Sequence, residues 1–315
     1  MKERVPRIQL CDYTKGTEAE RKAFVKALGD GLCHFGFLAV GGHGLEEELV
    51  HDNYNLFQDF FALDEPIKKK YDVVAGGQRG YTPFGVEKAK DQKVPDLKEF
   101  WHIGQELPEG HEYRSHYPDN VWPDELPQMK PKTLKLFHQL EECARTLLHA
   151  LADYFELPQK TFSDMMERGN SIFRVIHYPP LSEAMPVGAI RAAAHEDINL
   201  ITLLTESKGS GLEILTQDNE WLPVHALEGD IIVDSGDMLS RVTNGVVPAT
   251  THRVVNPPGD KNEARYSMPF FVHPFASCDL TVMDRFTSEE NPAKWSPITA
   301  NDFLNQRLAE IGLLK

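Results

Sequence analysis

Three residues whose side chains bind metals stand where they can converge: His195, Asp197 and His252. In an extended segment, residues two apart point to the same face. His195 and Asp197 therefore aim an imidazole and a carboxylate at one point, while Glu196 between them faces away. His252 stands in a second segment of extended character, Ala-Thr-Thr-His-Arg-Val-Val. The chain has 13 histidines, and most must be surface or core residues, so only convergence singles these two out. Two imidazoles and one carboxylate on one face of a metal leave its other positions open. That facial triad is the ligand set of non-haem iron(II) oxygenases.

Farther along, Arg265 and Ser267 share a strand face by the same period of two. A guanidinium fork beside a hydroxyl suits a carboxylate bound end-on. Taken alone, Arg265 is better explained by an ion pair with a nearby Asp or Glu. Asn199 continues the face of His195 and Asp197, as a partner of the ligands or as a pocket residue. Arg174 and Arg191 could meet an anionic substrate, but the surface is their expected place. His273 ends the last strand, and Phe271 is a candidate pocket residue.

These side chains need a scaffold, and the chain changes texture near residue 165. Before it, apolar residues recur at helical spacing. Thr17 and Glu20 read as a capping box, followed by Phe24, Leu28 and Leu32 on one helix face. Strand-like 35–40 stops at a turn, Gly41-Gly42-His43-Gly44. A second helix carries Leu45, Leu49, Leu56 and Phe60, and a third covers 132–155. After residue 165, short β-rich runs follow one another at 171–178, 199–205, 211–216, 221–227, 230–234, 250–255 and 265–273. Turn residues separate them, as at Asp218-Asn219 and Pro257-Pro258-Gly259-Asp260. Many short strands with close turns predict a sandwich or barrel rather than a parallel α/β sheet. The expected fold is mainly β with helical flanks: a jelly-roll core with an α-rich N-terminal region. A last helix is expected over 300–311. The regions are 1–165 (helical), 166–280 (β core) and 281–315 (C-terminal helical tail).

Lys plus Arg number 33 and Asp plus Glu 48, a formal charge of −15. So acidic a surface repels phosphate backbones, so neither nucleic acid nor an anionic membrane is an expected partner. No stretch approaches the roughly 18 apolar residues of a membrane span, and the opening MKERVPRIQLCDYTKG lacks a signal peptide's apolar run. Cys11, Cys33, Cys143 and Cys278 form no CxxC pair. Reduced thiols in a cytoplasmic, monomeric protein are the expectation.

The order His195-x-Asp197, His252, Arg265-x-Ser267, with the stretches TNGVVPATTHRVVNP and RYSMPFFVHP, resembles the isopenicillin N synthase-like family of iron(II) and 2-oxoglutarate dependent oxygenases. The resemblance covers nearly the whole chain. VPRIQL, HFGFLAVGGHGL, FFALDEPIKKKY and RGYTPFG are similar to that family's N-terminal region. It implies a double-stranded β-helix with iron(II) held by His195, Asp197 and His252. It also implies that Arg265 and Ser267 bind the distal carboxylate of 2-oxoglutarate, with Tyr178 of HYPP contacting that carboxylate or one on the substrate. Many plant members carry Asn where this chain has Ile176. Arg79 and Tyr81 fall where relatives place a loop over the site, which makes them substrate-binding candidates beside Asn199 and Phe271. His43 matches a structural turn histidine.

The implied reaction uses O2 to oxidise a small-molecule substrate, usually by hydroxylation, with release of succinate and CO2. The radical chemistry belongs to the iron, and no protein acid, base or nucleophile is required beyond the metal centre. An oxidase of the same family that dispenses with 2-oxoglutarate keeps Arg-x-Ser, so the motif leaves that alternative open. A non-catalytic small-molecule sensor on this fold is a further alternative. A zinc hydrolase ranks lower, since Arg-x-Ser has no part in its chemistry.

Overall fold

The computed structural model describes residues 4–73, 78–86, 96–180, 190–208, 211–256 and 262–310. Its strands, in chain order, are β1 Arg7–Gln9, β2 Phe37–Gly41, β3 Gly80–Thr82, β4 Glu99–Gly104, β5 Ile172–Tyr178, β6 Ala192–His195, β7 Ile201–Lys208, β8 Leu212–Leu215, β9 Trp221–Pro223, β10 Ile231–Ser235, β11 His252–Val254 and β12 Arg265–Val272. They form two sheets. The larger runs β1-β2-β10-β7-β12-β5-β4-β3 and the smaller β6-β11-β8-β9. The four central strands β10-β7-β12-β5 face the smaller sheet, giving the eight-stranded jelly roll that the strand pattern predicts.

The helices are α1 Leu10–Thr14, α2 Glu18–Phe35, α3 Glu47–Phe61, α4 Glu65–Lys68, α5 Met129–Tyr154, α6 Ser163–Met166, α7 Asp237–Val242 and α8 Ala300–Glu310. The capping box forms: the Thr17 hydroxyl accepts from Glu20 N at 3.3 Å, and Thr17 N donates to Glu20 Oε2 at 2.7 Å. This satisfies two amides that the first helical turn leaves without partners. α2 ends at Gly36 with φ 65°, where a Cβ would stand 2.2 Å from the Thr250 hydroxyl oxygen. α5 lays its apolar stripe on the outer face of the large sheet. Phe137 meets Phe270 edge to face at 4.9 Å, a pair whose loss by truncation costs about 3–5 kcal/mol.

Strand parity sorts the site from the core. On β5, Phe173 and Val175 join the helix-side core, while Ile176 and Tyr178 pack inward with Phe100, Ala192 and Val254. On β12, Met268, Phe270 and Val272 face the helices. Arg265 and Ser267 stand opposite Tyr178 and Ile176, on the inner face. A single cluster of buried residues runs from Ile8 to Phe303, because β1 to β4 extend the large sheet from the N-terminal side.

Four strands escaped the sequence pattern. β4 is buried along its whole length, so it lacks alternation. β6 reads Ala-Ala-Ala-His, a helix-favouring composition that pairing with β11 overrides. β1 and β3 have three residues each. The expected strand at 221–227 stops at Pro223. The turn at Pro257-Pro258-Gly259-Asp260 and the helix end at Ile311 lie outside the described residues. All four cysteines are free thiols. Among the described residues no helix is long and apolar enough to cross a membrane.

Candidate metal centre

His195 closes β6 and His252 opens β11, and the antiparallel register makes them direct partners. Their ring centroids lie 4.4 Å apart. His195 Nδ1 lies 2.7 Å from the Ala193 carbonyl and His252 Nδ1 3.2 Å from that of Thr250. Each Nδ1–H donated to a carbonyl leaves the Nε2 lone pair free, which is how metal-binding histidines are oriented. Asp197 lies just past the end of β6. Its Oδ1 stands 3.8 Å from His195 Nε2 and 3.9 Å from His252 Nε2. One ion with bonds of about 2 Å bridges such a spacing. Among the described residues this is the group of histidine and carboxylate side chains that could hold a metal.

The carboxylate is held from behind. Thr202 Oγ1 donates to Asp197 Oδ2, and Asn199 Nδ2 donates to Thr202 Oγ1 at 2.8 Å. Asp237 N donates to the Asp197 carbonyl at 2.7 Å. The chain crosses close to this loop at Gly236, where a Cβ would sit 2.4 Å from the Asn199 carbonyl oxygen and 2.8 Å from that of Asp197. Burial pushes the Asp197 carboxyl up, but His252, His195 and the Thr202 hydrogen bond outweigh it and hold it below the ordinary carboxylate range. The Asp234 carboxyl shows the opposite balance. Burial, then the charge of Asp197 and a hydrogen bond to it, push Asp234 far up. Burial and the neighbouring His195 push His252 down to about 4 against the pull of Asp197. Its imidazole is therefore neutral, the form that binds a metal.

Arg265 is 2% exposed, Ser267 4% and Tyr178 2%, a polar trio inside the barrel. The Arg265 guanidinium carbon lies 5.1 Å from the Tyr178 ring centre. Burial pushes its pKa down, and what opposes this is Tyr178, which hydrogen-bonds to it, and Tyr54. A guanidinium this deep, compensated by phenols, fits an organic carboxylate as its partner.

Arg191, expected at the surface, is buried, while Arg174, also expected there, is half-buried on the inner face of β5. Arg191 is 3% exposed. Arg174 lies over the Phe100 ring at 4.4 Å and the Phe271 ring at 5.4 Å, and its Nε donates to His102 Nε2. Strand parity places Arg174 on the inner face of β5 with Ile176 and Tyr178.

The candidate substrate residues divide. Phe271 lies on the inner face with Arg174. Arg79 is 1% exposed. It donates to the Gln78 carbonyl at 2.7 Å and to Asn170 Oδ1 at 3.4 Å, and it covers Gly104 so closely that a Cβ there would stand 2.0 Å from its Nη2. It acts electrostatically on His273, which also feels Asp197. Tyr81 belongs to the other side of the sheet, where it meets Phe60 at 5.7 Å and donates to Glu99. Asn199 is fully buried and turned to Thr202. His43 bridges the Gly229 carbonyl and the amide of Leu45, a turn clamp. Thr202, Asp234, Phe100 and His102 went unmarked in the sequence; period-two alternation places Thr202 and Asp234 only once their strands are paired.

Residues 169–274 match the 2OG-Fe(II) oxygenase superfamily, and residues 5–125 match the family described as non-haem dioxygenase in morphine synthesis, N-terminal. A 2-oxoglutarate-dependent dioxygenase of Aspergillus rugulosus is 30% identical over 92% of this chain and 95% of its own. A 2OG-Fe(II) oxygenase family protein from Caulobacter crescentus superposes with a TM-score of 0.88 at 39% identity, over 97% of this chain and 98% of that one. A full-length Neurospora crassa protein, crystallised in complex with alpha-KG and thymine, superposes with a TM-score of 0.86 at 26% identity, over 97% and 96% of the two chains. The chain belongs to the 2OG-Fe(II) oxygenase superfamily, in its isopenicillin N synthase-like family, and is an oxidoreductase of the iron(II)- and 2-oxoglutarate-dependent dioxygenase class.

Proposed function

We propose that His195, Asp197 and His252 hold the iron, and that Arg265, Ser267 and Tyr178 hold the distal carboxylate of 2-oxoglutarate. The single observation that carries the reading is the convergence of two Nε2 atoms and one carboxylate oxygen, with a buried guanidinium inside the same barrel. Iron(II), 2-oxoglutarate and O2 together supply the oxidation of a substrate C–H bond, with succinate and CO2 as co-products.

The protein's part is positional. Carbonyls of Ala193 and Thr250 fix the two imidazoles, and Thr202 fixes the carboxylate. Arg265 orients the co-substrate so that its other end reaches the metal. The apolar walls built by Phe100, Ile176 and Val254 exclude water from the oxidising centre. Phe271, Arg174 and Arg79 line the remaining space and contact a small-molecule substrate, and hydroxylation is the proposed outcome. The Neurospora crassa relative, crystallised with thymine, supports a compact polar substrate of that size class. We assign Asn199 to supporting Thr202, and Tyr81 to the cluster around Glu99.

The charge of −15 supports an enzyme that works apart from nucleic acid, and its placement as a cytoplasmic monomer is part of the proposal. Residues 166–280 carry the iron and co-substrate contacts, 1–165 buttress the large sheet, and 281–315 form the helical tail.

Anaerobic addition of iron(II) and 2-oxoglutarate should give a weak visible charge-transfer band, absent in Asp197→Ala. Turnover should release one succinate per product. No band, together with no succinate from any substrate tried, overturns the proposal.

A further inference from the structure

We infer that Arg307, on the C-terminal helix, is a positioning residue for the metal centre: it holds the first turn of α7, and through that turn the loop that carries Asp197. The inference rests on the reading that Asp197 is a metal ligand.

The start of α7 lies against that loop by its backbone. Gly236 N donates to the Leu200 carbonyl at 3.0 Å, Asp237 N to that of Asp197 at 2.7 Å and Met238 N to that of Asn199 at 3.0 Å. Successive amides thus fix the stretch from Asp197 to Leu200. α8 grips α7 in turn, running antiparallel to it. Residues four apart share a helix face, and both helices use such a pair. Arg241 of α7 lies over the Phe303 ring of α8 at 5.3 Å. One turn along, Arg307 Nε stands 3.2 Å from Asp237 Oδ2. Phe303 is buried, which anchors the helix. The Arg307 fork is fixed on its other side as well, with Nη1 donating to Glu310 Oε2 at 2.7 Å.

Asp237 lies within the field of Asp197, of Glu310 and of Glu196, the middle residue of the His195-x-Asp197 motif. Carboxylates therefore crowd behind the metal loop. Among the described residues, Arg307 is the cation that pairs with Asp237. The Asp237 side chain is 15% exposed and that of Arg307 24%, so water screens the pair only in part. Without the guanidinium, like charges push the Asp237 carboxylate outward to solvent. Its own amide moves with it, and the Asp197 carbonyl loses its anchor. Two other roles for Arg307 make different predictions. A plain tie between the helices would stabilise the fold and leave the metal unaffected. A remote positive charge would repel iron(II), so its removal would tighten metal binding. Positioning alone predicts that removal weakens it.

The experiment uses the full chain, with iron(II) affinity measured anaerobically by competition against a chelator. Arg307→Met should weaken iron about 10-fold, the low end of what loss of a ligand's supporting partner costs. Arg307→Lys, which keeps the charge, should recover most of the loss. Asp237→Asn removes the carboxylate that Arg307 holds and leaves the amide in place. In that background Arg307→Met should change iron affinity by less than about twofold. Unchanged or tighter iron binding in Arg307→Met overturns the inference, and so does an equal loss with and without Asp237→Asn. A lower urea midpoint for the metal-free chain with iron affinity intact identifies the plain tie and likewise overturns it. If Arg307→Met does not fold, Arg307→Gln removes the charge, keeps a donor for Asp237 and is read in the same way. Asp197→Ala, run alongside, separates the two claims. If it loses iron and the Arg307 variants keep it, only the role of Arg307 falls. If Asp197→Ala keeps stoichiometric iron, the triad falls and the inference with it.

Discussion

His195 and His252 are cross-strand partners, opposite one another in the β6–β11 ladder with ring centroids 4.4 Å apart. Sheet pairing therefore sets the spacing of two metal-binding groups, and backbone carbonyls set their rotation. Only the third, Asp197, depends on a loop, and that loop is braced by side chains and by a second backbone segment. The site's sensitive points follow from this division.

Asp197→Ala removes the one carboxylate of the triad. Loss of a group that merely supports a metal ligand costs 10- to 100-fold, so loss of the ligand itself should exceed about 100-fold. Iron per chain, measured after desalting, should fall to near zero, and succinate release with it. Retention of stoichiometric iron by this variant would falsify the triad.

Thr202→Val keeps the shape of the side chain but deletes the donor to Asp197 Oδ2 and leaves Asn199 Nδ2 short of an acceptor. Iron affinity should weaken about 10- to 100-fold. Stability of the metal-free protein should drop by roughly 1–3 kcal/mol. Competition against a chelator measures the first and urea unfolding the second. Thr202→Ser, which keeps the hydroxyl, should restore iron binding.

Gly236→Ala tests the brace from the other side. The added methyl would stand 2.4 Å from one carbonyl oxygen and 2.8 Å from another, and backbone cannot swing away as a side-chain end can. The Asp197 loop must move. Iron retention should fall more than the melting temperature does, since α7 and β10 keep their own contacts. Normal iron binding in Gly236→Ala shows that the loop tolerates displacement.

The metal-free protein should lose stability as pH falls from about 6.5 towards 4. Burial pushes His252 and His273 down to about 4, while an unfolded histidine titrates near 6.5. In that window the unfolded chain binds protons that the folded chain refuses, so stability falls with pH. Each histidine contributes up to about 2 kcal/mol at pH 5. Melting temperatures from pH 7.5 to 5 should therefore decline, and His273→Asn should flatten the decline by a measurable part. A parallel decline in wild type and variant removes His273 from the account.

The chemistry and the class of fold are legible in the order of residues. His195-x-Asp197, His252 and Arg265-x-Ser267 can be read because a strand's period of two assigns a face to each residue from local geometry. The capping box at Thr17 and the stripe of α5 are legible for the same reason. What lies opposite each face is settled by strand pairing and packing. Arg174 and Arg191 read as surface residues because a charged side chain is normally solvated. Pairing of β5 between β4 and β12 turned Arg174 inward to half-burial, and Arg191 is buried just before β6. Tyr81 stands two residues after Arg79, yet Gly80, with φ 72°, breaks the alternation, and pairing of β3 with β4 puts Tyr81 on the helix side with Glu99. Thr202 and Asp234 became neighbours of Asp197 only through the register of β7 with β10. Such contacts join residues far apart in the chain, and the energy that selects them is burial across two sheets, which no local window of residues contains.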